Sequence, residues 1–181
     1  MITKEEYLEA QKKTIEFLRK AGIALNEEEK KNIEVVDNGL GDLEHIALQI
    51  VVYVNNERYC AKEMVLFPRQ TCAEHRHQPI GNNPGKQETF RCRFGVVYLY
   101  VPGEKTQNPK AILPEGRERY FTSGKEIILK PGDQWTIPPN TLHWFQSGDE
   151  GAIVSEFSSP SRDEYDIFTD PEIKRKTEIK G

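Results

Sequence analysis

Three of the chain's four histidines and one glutamate are spaced in a way that suits metal binding. One residue separates His75 from His77, ten separate His77 from Glu88, and His143 follows in a second stretch. Alternate side chains of a strand share a face, so His75 and His77 can share an ion while Arg76 points away. Three imidazoles and one carboxylate suit Mn, Fe, Co, Ni or Zn better than Ca or Mg. We therefore predict a divalent metal site formed by His75, His77, Glu88 and His143, with two coordination positions left open.

Two nearby residues of ligand type are excluded from this set. Cys72 lies three residues before His75, so strand alternation predicts that its thiol points to the opposite face. His45 lies in the lead-in to a predicted strand, and we assign it no role. Two histidines separated by one residue are commonly structural, so the prediction depends on Glu88 and His143 completing the pattern.

The composition favours a soluble protein with one hydrophobic core. The chain has 181 residues and a formal net charge of −4, which indicates neither nucleic acid nor an anionic membrane as a partner. The N-terminus lacks the apolar core of a signal peptide, and the longest apolar runs are too short to span a bilayer. Three cysteines without a CxxC pair predict free buried thiols. We expect a cytoplasmic location.

The first 41 residues are predicted to be helical. Apolar residues recur at helical spacing over residues 4–21, Thr3 and Glu6 can form a capping box, and Gly22 can end the helix. Asn26 followed by three glutamates predicts a second, short helix. The turn at Asn38–Gly41 then ends this region.

The residue pattern predicts strands for the rest of the chain up to residue 160. Nine short segments are rich in Val, Ile, Tyr, Phe and Thr and are bounded by Asn, Gly and Pro, which is typical of an antiparallel sandwich or barrel. The segments are Ile46–Val54, Arg58–Phe67, Gln70–His77, Thr89–Val101, Gly116–Thr122, Glu126–Leu129, Gln134–Ile137, Thr141–Phe145 and Ala152–Phe157. We predict one all-β domain over residues 1–181, with a helical extension (1–41), a barrel (42–160) and a C-terminal segment (161–181). The charged end of that segment, Lys174–Gly181, is expected to be loosely held.

The two histidine stretches resemble the paired motifs of cupins. The first has the form H-x-H-x10-E-x6-G and the second G-x5-P-P-N-x2-H-x3-S. Three details depart from the usual pattern: the loop between His77 and Glu88 is longer, Asn140 stands where glycine is usual, and Ser147 where asparagine is frequent. Asn tolerates the left-handed conformation that such a turn requires. The resemblance implies a cupin jelly-roll β-barrel.

A longer run, AKEMVLFPRQTCAEHRHQPIGNNPGKQETFRCRFG, resembles the D-lyxose isomerase family. The similarity extends from the Asn38–Gly41 turn to EFSSPSRDEYDIFTDP. It implies an aldose–ketose isomerase that interconverts D-lyxose and D-xylulose, and often D-mannose and D-fructose, through a cis-enediol. It also implies a preference for Mn²⁺, with Co²⁺, Ni²⁺, Fe²⁺ or Zn²⁺ as alternatives, and the same four ligands.

Lys62 is the first predicted catalytic and substrate-binding residue beyond the metal site. It shares strand parity with Cys60 and Met64, so its ammonium should point toward an apolar face, and the family resemblance implies a pocket lysine thirteen residues before His75. Glu63 is the alternative if the parity is reversed. A lysine at the sheet edge with its charge in solvent would explain the same pattern without a function.

Acidic residues near the C-terminus complete the predicted site. Glu156 lies in a strand otherwise suited to the core, where a carboxylate is costly unless it is paired or functional, and we predict that it transfers the proton. A structural ion pair is the alternative. Glu164 and Asp166 are predicted to bind sugar hydroxyls or to take the second acid–base role, with a solvated loop as the alternative. Glu88 is predicted to contact the sugar as well as the metal.

Other functions remain open at this stage. The same ligands suit an Fe(II) cupin dioxygenase, and a non-catalytic sugar-binding cupin is a third candidate. A sugar-phosphate isomerase would need an anion site, for which Arg117, Arg119 and Lys125 are candidates. We expect a monosaccharide substrate and a homodimer.

Overall fold

A computed structural model describes residues 1–180. Two helices and eleven strands are arranged in the order β1 (Ile2–Thr3), α1 (Lys4–Lys20), α2 (Glu27–Lys31), β2 (Glu34–Val36), β3 (Leu48–Asn55), β4 (Cys60–Leu66), β5 (Thr71–Arg76), β6 (Glu88–Val101), β7 (Lys125–Leu129), β8 (Gln134–Ile137), β9 (His143–Ser158), β10 (Ile167–Phe168) and β11 (Ile179–Lys180). Two short 3-10 helices cover Glu118–Tyr120 and Asp163–Tyr165.

The predicted N-terminal helices are confirmed. Thr3 caps α1 and forms the reciprocal capping box with Glu6, and Asn26 caps α2 in the same way with Glu29. Gly22 follows α1 in the left-handed conformation, with φ of 73°. Each helix therefore begins where a side chain can accept hydrogen bonds from otherwise unpaired backbone N–H groups.

Nine strands form one curled sheet. Its main path runs β10-β5-β9-β4-β3-β2, while β6 pairs with β7, β8 and β9. The two longest strands, β6 and β9, connect the parts of the sheet because β9 pairs with β4, β5 and β6. Aromatic and aliphatic side chains such as Phe90, Leu99 and Phe145 fill the interior. The predicted all-β barrel with a helical extension is confirmed; the division into one domain stays a prediction.

A second hydrophobic cluster lies outside the sheet, under α1. The helix buries Ala10, Thr14 and Leu18, and outward-facing residues of β3 and β4, including Val51 and Val65, belong to the same cluster. Burial of this apolar area attaches the helical extension to the barrel. Within residues 1–180, no helix has the length and apolar character needed to cross a membrane.

The strand predicted at Gly116–Thr122 is wrong. This segment contains the 3-10 helix Glu118–Tyr120 and is held by Glu74, whose carboxylate accepts hydrogen bonds from the backbone N–H groups of Thr122 and Ser123 at 2.7–3.0 Å. The aromatic residues of this segment suggested a strand. A strand also needs a neighbouring strand to pair with, and within the described sheet this segment has none.

The two strands predicted on either side of Ser147-Gly148 form the single strand β9. The pairing with β6 shifts in register between Gly95 and Val97, where Gly95 faces Ala152 and Val97 faces Ser147. Gly95 has φ of 69°, and a β-carbon there would overlap the carbonyl oxygen of Gly151. The glycines therefore form an irregularity within a continuous strand rather than a turn between two strands.

The prediction that the C-terminal end is loosely held is also wrong for residues 174–180. Lys174 donates its backbone N–H to the carbonyl of Asn38 at 2.9 Å, and Thr177 Oγ1 donates to the carbonyl of Val35 at 2.8 Å. The strand β11 then pairs in parallel with β1. Gly181 lies outside the described residues. Here backbone pairing with the N-terminus, which local composition does not reveal, holds a charged segment in place.

Candidate metal centre and active-site cavity

Three imidazoles converge at one end of the barrel interior. His143, the first residue of β9, pairs directly with His75 on β5, and His77 follows the end of β5. The ring centroid of His75 lies 4.4 Å from that of His143 and 4.9 Å from that of His77. One potential ligand atom from each of the three histidines lies within 4.8 Å of the others. Strand register has thus brought together residues that are far apart in the sequence.

Each of the three rings uses its Nδ1 atom in a hydrogen bond with an oxygen that can only accept. A carbonyl or carboxylate oxygen requires Nδ1 to carry the proton, so Nε2 of a neutral ring presents a lone pair. The partners are the Ala73 carbonyl for His75 at 2.8 Å, the Thr141 carbonyl for His143 at 2.9 Å and Asp166 Oδ1 for His77 at 2.5 Å.

Glu88 faces the same Nε2 atoms. Its Oε1 lies 2.9 Å from Nε2 of His143 and 3.1 Å from Nε2 of His77. The Nε2 atom of His143 is fully buried and makes no hydrogen bond of acceptable geometry, despite that short distance. Lone pairs facing a carboxylate in a dry interior require a positive charge between them. The donor set therefore fits a divalent metal ion.

The titration of His75 and Glu88 agrees with a ligand role. Burial lowers the pKa of His75, and His143 and His77 lower it further, so the ring stays neutral. Burial also lowers the pKa of His77, but the charge of Glu88 and the hydrogen bonds to Asp166 and Glu88 together raise it to about 9, so a metal ion would have to displace this proton. For Glu88, burial raises the pKa, but Lys86 and His77 bring it well below its ordinary value. Glu88 is thus a carboxylate at neutral pH.

A wall of paired charges lines the other side of the same cavity. Lys62 on β4 lies directly opposite Glu156 on β9, with Nζ 3.3 Å from Oε2. Both side chains are buried. Glu63 points to the outer face, where Ser155 donates to it at 2.8 Å. Lys62 rather than Glu63 therefore faces the cavity.

The sequence interpretation missed Lys86, which joins the two sides. Its Nζ lies 2.8 Å from Oε2 of Glu88 and 3.0 Å from Oε1 of Glu156. Burial lowers the pKa of Lys86, but Glu156 and Glu88 raise it well above its ordinary value. The signal was present, since Lys86 lies two residues before Glu88 and alternation would give both the same direction.

Asp163 and Arg175 were missed as well. Asp163 Oδ2 lies 3.2 Å from Nζ of Lys62 and 3.2 Å from Nη2 of Arg175, and both residues line the cavity. Glu164, predicted to bind sugar, is exposed and lies outside the cavity. The short 3-10 helix at Asp163–Tyr165 turns Asp163 inward and Glu164 outward, a direction that strand alternation could not predict. Asp166 does face inward, and it accepts a hydrogen bond from His77.

A second grouping of possible ligands combines His77 with Asp163 and Asp166. Both carboxylates already have partners: Lys62 and Arg175 contact Asp163, and Nδ1 of His77 contacts Asp166. This grouping therefore offers fewer free ligand atoms than the three histidines with Glu88.

The predicted direction of Cys72 is wrong. The β5–β9 pairing shifts in register between Cys72 and His75, and this bulge places the thiol on the cavity side. Burial raises the pKa of Cys72, and Glu88 raises it further, so the thiol stays protonated. Its exclusion as a ligand stands for a different reason from the one expected.

The candidate anion-binding residues lie away from the cavity. Arg117 pairs with Asp170 and Glu172, and Lys125 lies on the β7 strand; neither lines the cavity, nor does Arg119. The predicted phosphate site therefore has no support in the geometry.

Comparison with known proteins identifies the family. The family model described as D-lyxose isomerase matches residues 34–181. The chain belongs to the D-lyxose isomerase family. It is therefore a sugar isomerase of the aldose–ketose type, as the sequence predicted. A D-lyxose ketol-isomerase of Thermofilum sp. is 67% identical over 99% of both chains. A D-lyxose/D-mannose isomerase of Thermosediminibacter oceani is 65% identical, also over 99% of both.

Solved structures support the fold. L-ribose isomerase of Acinetobacter sp. DL28, in complex with L-ribose, superposes with a TM-score of 0.83 at 17% identity, covering 99% of this chain and 98% of that one. L-ribose isomerase of Cellulomonas parahominis gives a TM-score of 0.81 at 17% identity, with the same coverage. At this identity the likeness establishes the shared architecture.

Proposed function

We propose that this protein interconverts D-lyxose and D-xylulose, and also D-mannose and D-fructose. One observation carries the proposal: a buried carboxylate, Glu156, lies between two buried ammonium groups in the cavity that His75 and His77 also line. Proton transfer between neighbouring carbons needs a base held beside groups that stabilise oxyanion charge. The second sugar pair is supported by the name of the Thermosediminibacter oceani relative.

A divalent metal is part of the proposal. His75, His77, His143 and Glu88 would hold it, with Mn²⁺ as the first choice and Co²⁺, Ni²⁺, Fe²⁺ or Zn²⁺ as alternatives. The cavity lining carries four carboxylates, those of Glu88, Glu156, Asp163 and Asp166, and three fixed cations, so its formal balance favours an added cation. When bound, the metal supplies Lewis acidity toward the vicinal oxygens of the sugar.

The remaining roles follow from the contacts of each side chain. We assign proton transfer between C1 and C2 to Glu156, which Ser158 Oγ contacts at 2.9 Å in addition to the two lysines. Lys62 is the candidate donor to a sugar oxygen, and Glu88 can contact the sugar from the metal side. Asp166 acts through His77, whose ring it orients.

The test is an assay of purified protein against a panel of free and phosphorylated aldoses, with chelator and with Mn²⁺ restored. We expect ketose formation from D-lyxose, loss of activity with chelator, and exchange of the C2 hydrogen in deuterated water. Oxygen uptake with a small organic substrate would favour an Fe(II) dioxygenase instead. Binding of sugar without C2 exchange at full metal occupancy would favour a non-catalytic sugar-binding cupin.

A cytoplasmic location and a homodimeric state belong to the same proposal. Three free, buried cysteines, as expected in a reducing compartment, support the first. Exposed apolar side chains on the outer face of the sheet, such as Phe157 at 52% exposure, support the second. Sedimentation velocity at several protein concentrations tests the dimer.

A further inference from the structure

The C-terminal end of the chain crosses one side of the cavity. We call residues 171–180 the C-terminal strap. The strap is fixed on both sides of Arg175, by the hydrogen bond from Lys174 to Asn38 and by that from Thr177 to Val35. Asn38 is one of these anchor points and Val36 is next to the other, and both Val36 and Asn38 line the cavity. The strap therefore brings Arg175 to the cavity from a backbone that is held at several points.

Arg175 contacts two carboxylates in different parts of the fold. Its Nη1 lies 2.6 Å from Oε1 of Glu34 on β2, and its Nη2 lies 3.2 Å from Oδ2 of Asp163. A guanidinium offers several donors in a fixed plane, so it can hold two acceptors in a defined relative geometry. Asp163 itself belongs to no strand, and Arg175 therefore gives it a fixed partner outside its own segment.

Asp163 and Arg175 separate the cavity from the protein surface. Both line the interior cavity, and both also line a groove on the outside, with a volume of about 1110 Å³. We call this the outer groove; its other walls include Glu34, Asn55 and Lys176. The side chains of Asp163 and Arg175 are 21% and 20% exposed, so their ion pair is partly solvated. A partly solvated ion pair can open at modest cost, unlike a fully buried one.

The contacts continue from Arg175 to the proposed base. Asp163 contacts Lys62, and Lys62 contacts Glu156, each within 3.3 Å. Without Arg175, Asp163 would be left with the hydroxyl of Ser161, with Lys62 and with Lys86, whose Nζ is 3.8 Å away. Asp163 would then compete more strongly with Glu156 for both ammonium groups.

We propose that Arg175 is a positioning residue, and that its ion pair with Asp163 closes the cavity toward the outer groove, the route by which the sugar enters. Arg175 keeps Asp163, and through it Lys62, in the arrangement that leaves Glu156 free to move the proton. The proposal rests on the proposed isomerase function for its kinetic consequences, but its structural consequence is independent of that function.

The test compares Arg175→Met, Arg175→Lys and Lys176→Met. Lys176 is the matched control, since it is a strap cation that lines the groove and not the cavity. Arg175→Met is expected to lower kcat by about 10- to 100-fold, because misplaced catalytic groups lose rate steeply. Arg175→Lys should recover part of that loss, and Lys176→Met should stay within about twofold of the unchanged protein. Metal stoichiometry should be unchanged in all three.

Hydrogen–deuterium exchange gives a readout that does not depend on activity. Arg175→Met should raise the exchange of strap amides by about tenfold relative to Lys176→Met, because the ion pair that closes the cavity is lost. Unchanged exchange together with unchanged kcat and KM would overturn the proposal, as would equal losses in Arg175→Met and Lys176→Met. If the unaltered protein shows no isomerase activity at full metal occupancy, the proposed function fails, while the exchange experiment still decides the closure.

Discussion

The two sides of the cavity are built in different ways. On the metal side, ligands lie at the ends of β5, β6 and β9, and every Nδ1 atom is held by a backbone carbonyl or by Asp166. On the opposite side, Lys62 and Glu156 lie on paired strands, but Asp163 comes from a short 3-10 helix and Arg175 from the strap. The metal side is fixed by sheet register, and the charged side also depends on segments outside the sheet.

This difference has a physical consequence for each side. Lone pairs that converge in a dry interior have one common requirement, a cation, and rigid backbone partners keep the ligands ready for it. The charged side consists of ion pairs whose geometry depends on all members, because each buried charge is tolerated only through its neighbours. We therefore expect changes on the metal side to abolish metal binding, and changes on the charged side to alter rates while metal remains bound.

Removal of one imidazole should give the largest effect. His143→Ala is expected to lose metal and to lower activity by about 1000-fold or more, because the Lewis acid contributes several kcal/mol. Metal content after gel filtration and kcat/KM on D-lyxose measure the two effects. His45→Ala is the control, since His45 is exposed and its ring contacts nearby Asp42, away from the metal side. Full metal content in His143→Ala would contradict the ligand assignment.

Glu156→Gln should abolish proton transfer without releasing the metal. The amide keeps the shape of the side chain but cannot accept a proton, and the expected loss in kcat is about 10²- to 10⁴-fold. C2 hydrogen exchange in deuterated water measures the step directly. Glu63→Gln, on the outer face of the neighbouring strand, is the matched control. Exchange at the normal rate in Glu156→Gln would assign the base elsewhere.

Substitution of the two lysines tests where the boundary between the sides lies. Lys86 contacts Glu88 and Glu156, whereas Lys62 contacts Glu156 and Asp163. Lys86→Met should weaken metal affinity by about 10- to 100-fold, as loss of a partner to a ligand commonly does. Lys62→Met should leave metal affinity unchanged while lowering kcat. Metal titration by calorimetry measures the affinity of each variant. Equal metal affinity in both variants would show that Lys86 supports the metal side no more than Lys62 does.

The smallest expected effect lies outside the cavity. Gln49 on β3 is fully buried, and neither of its side-chain polar atoms hydrogen-bonds another group in the described chain, in contrast to the paired charges of the cavity. Gln49→Met should stabilise the protein by about 1 kcal/mol and raise Tm by about 2–4 °C, since an unpaired polar group is costly. Thermal unfolding measures this, with Gln146→Met, which removes paired amide groups, as a destabilised control.

The sequence by itself predicted the features that local rules govern. Alternation placed His75, His77 and Lys62 on the interior side, and capping patterns placed both helices. Local rules failed where the backbone departs from regular geometry. The bulge after Cys72 turns its thiol to the face opposite the predicted one. The 3-10 helix at Asp163–Tyr165 directs Asp163 into the cavity, where Glu164 was expected.

Only the tertiary structure decided how the charged side is assembled. Lys86, Asp163 and Arg175 meet Lys62 and Glu156 because strand pairing and the folded-back strap bring distant segments together. A charged residue in a polar segment is normally solvated, so its composition gives no signal of burial. The motif spacing in the sequence therefore predicted the candidate metal ligands, and alternation with Glu88 could have indicated Lys86. The inward positions of Asp163 and Arg175 depend on long-range pairing that no local pattern encodes.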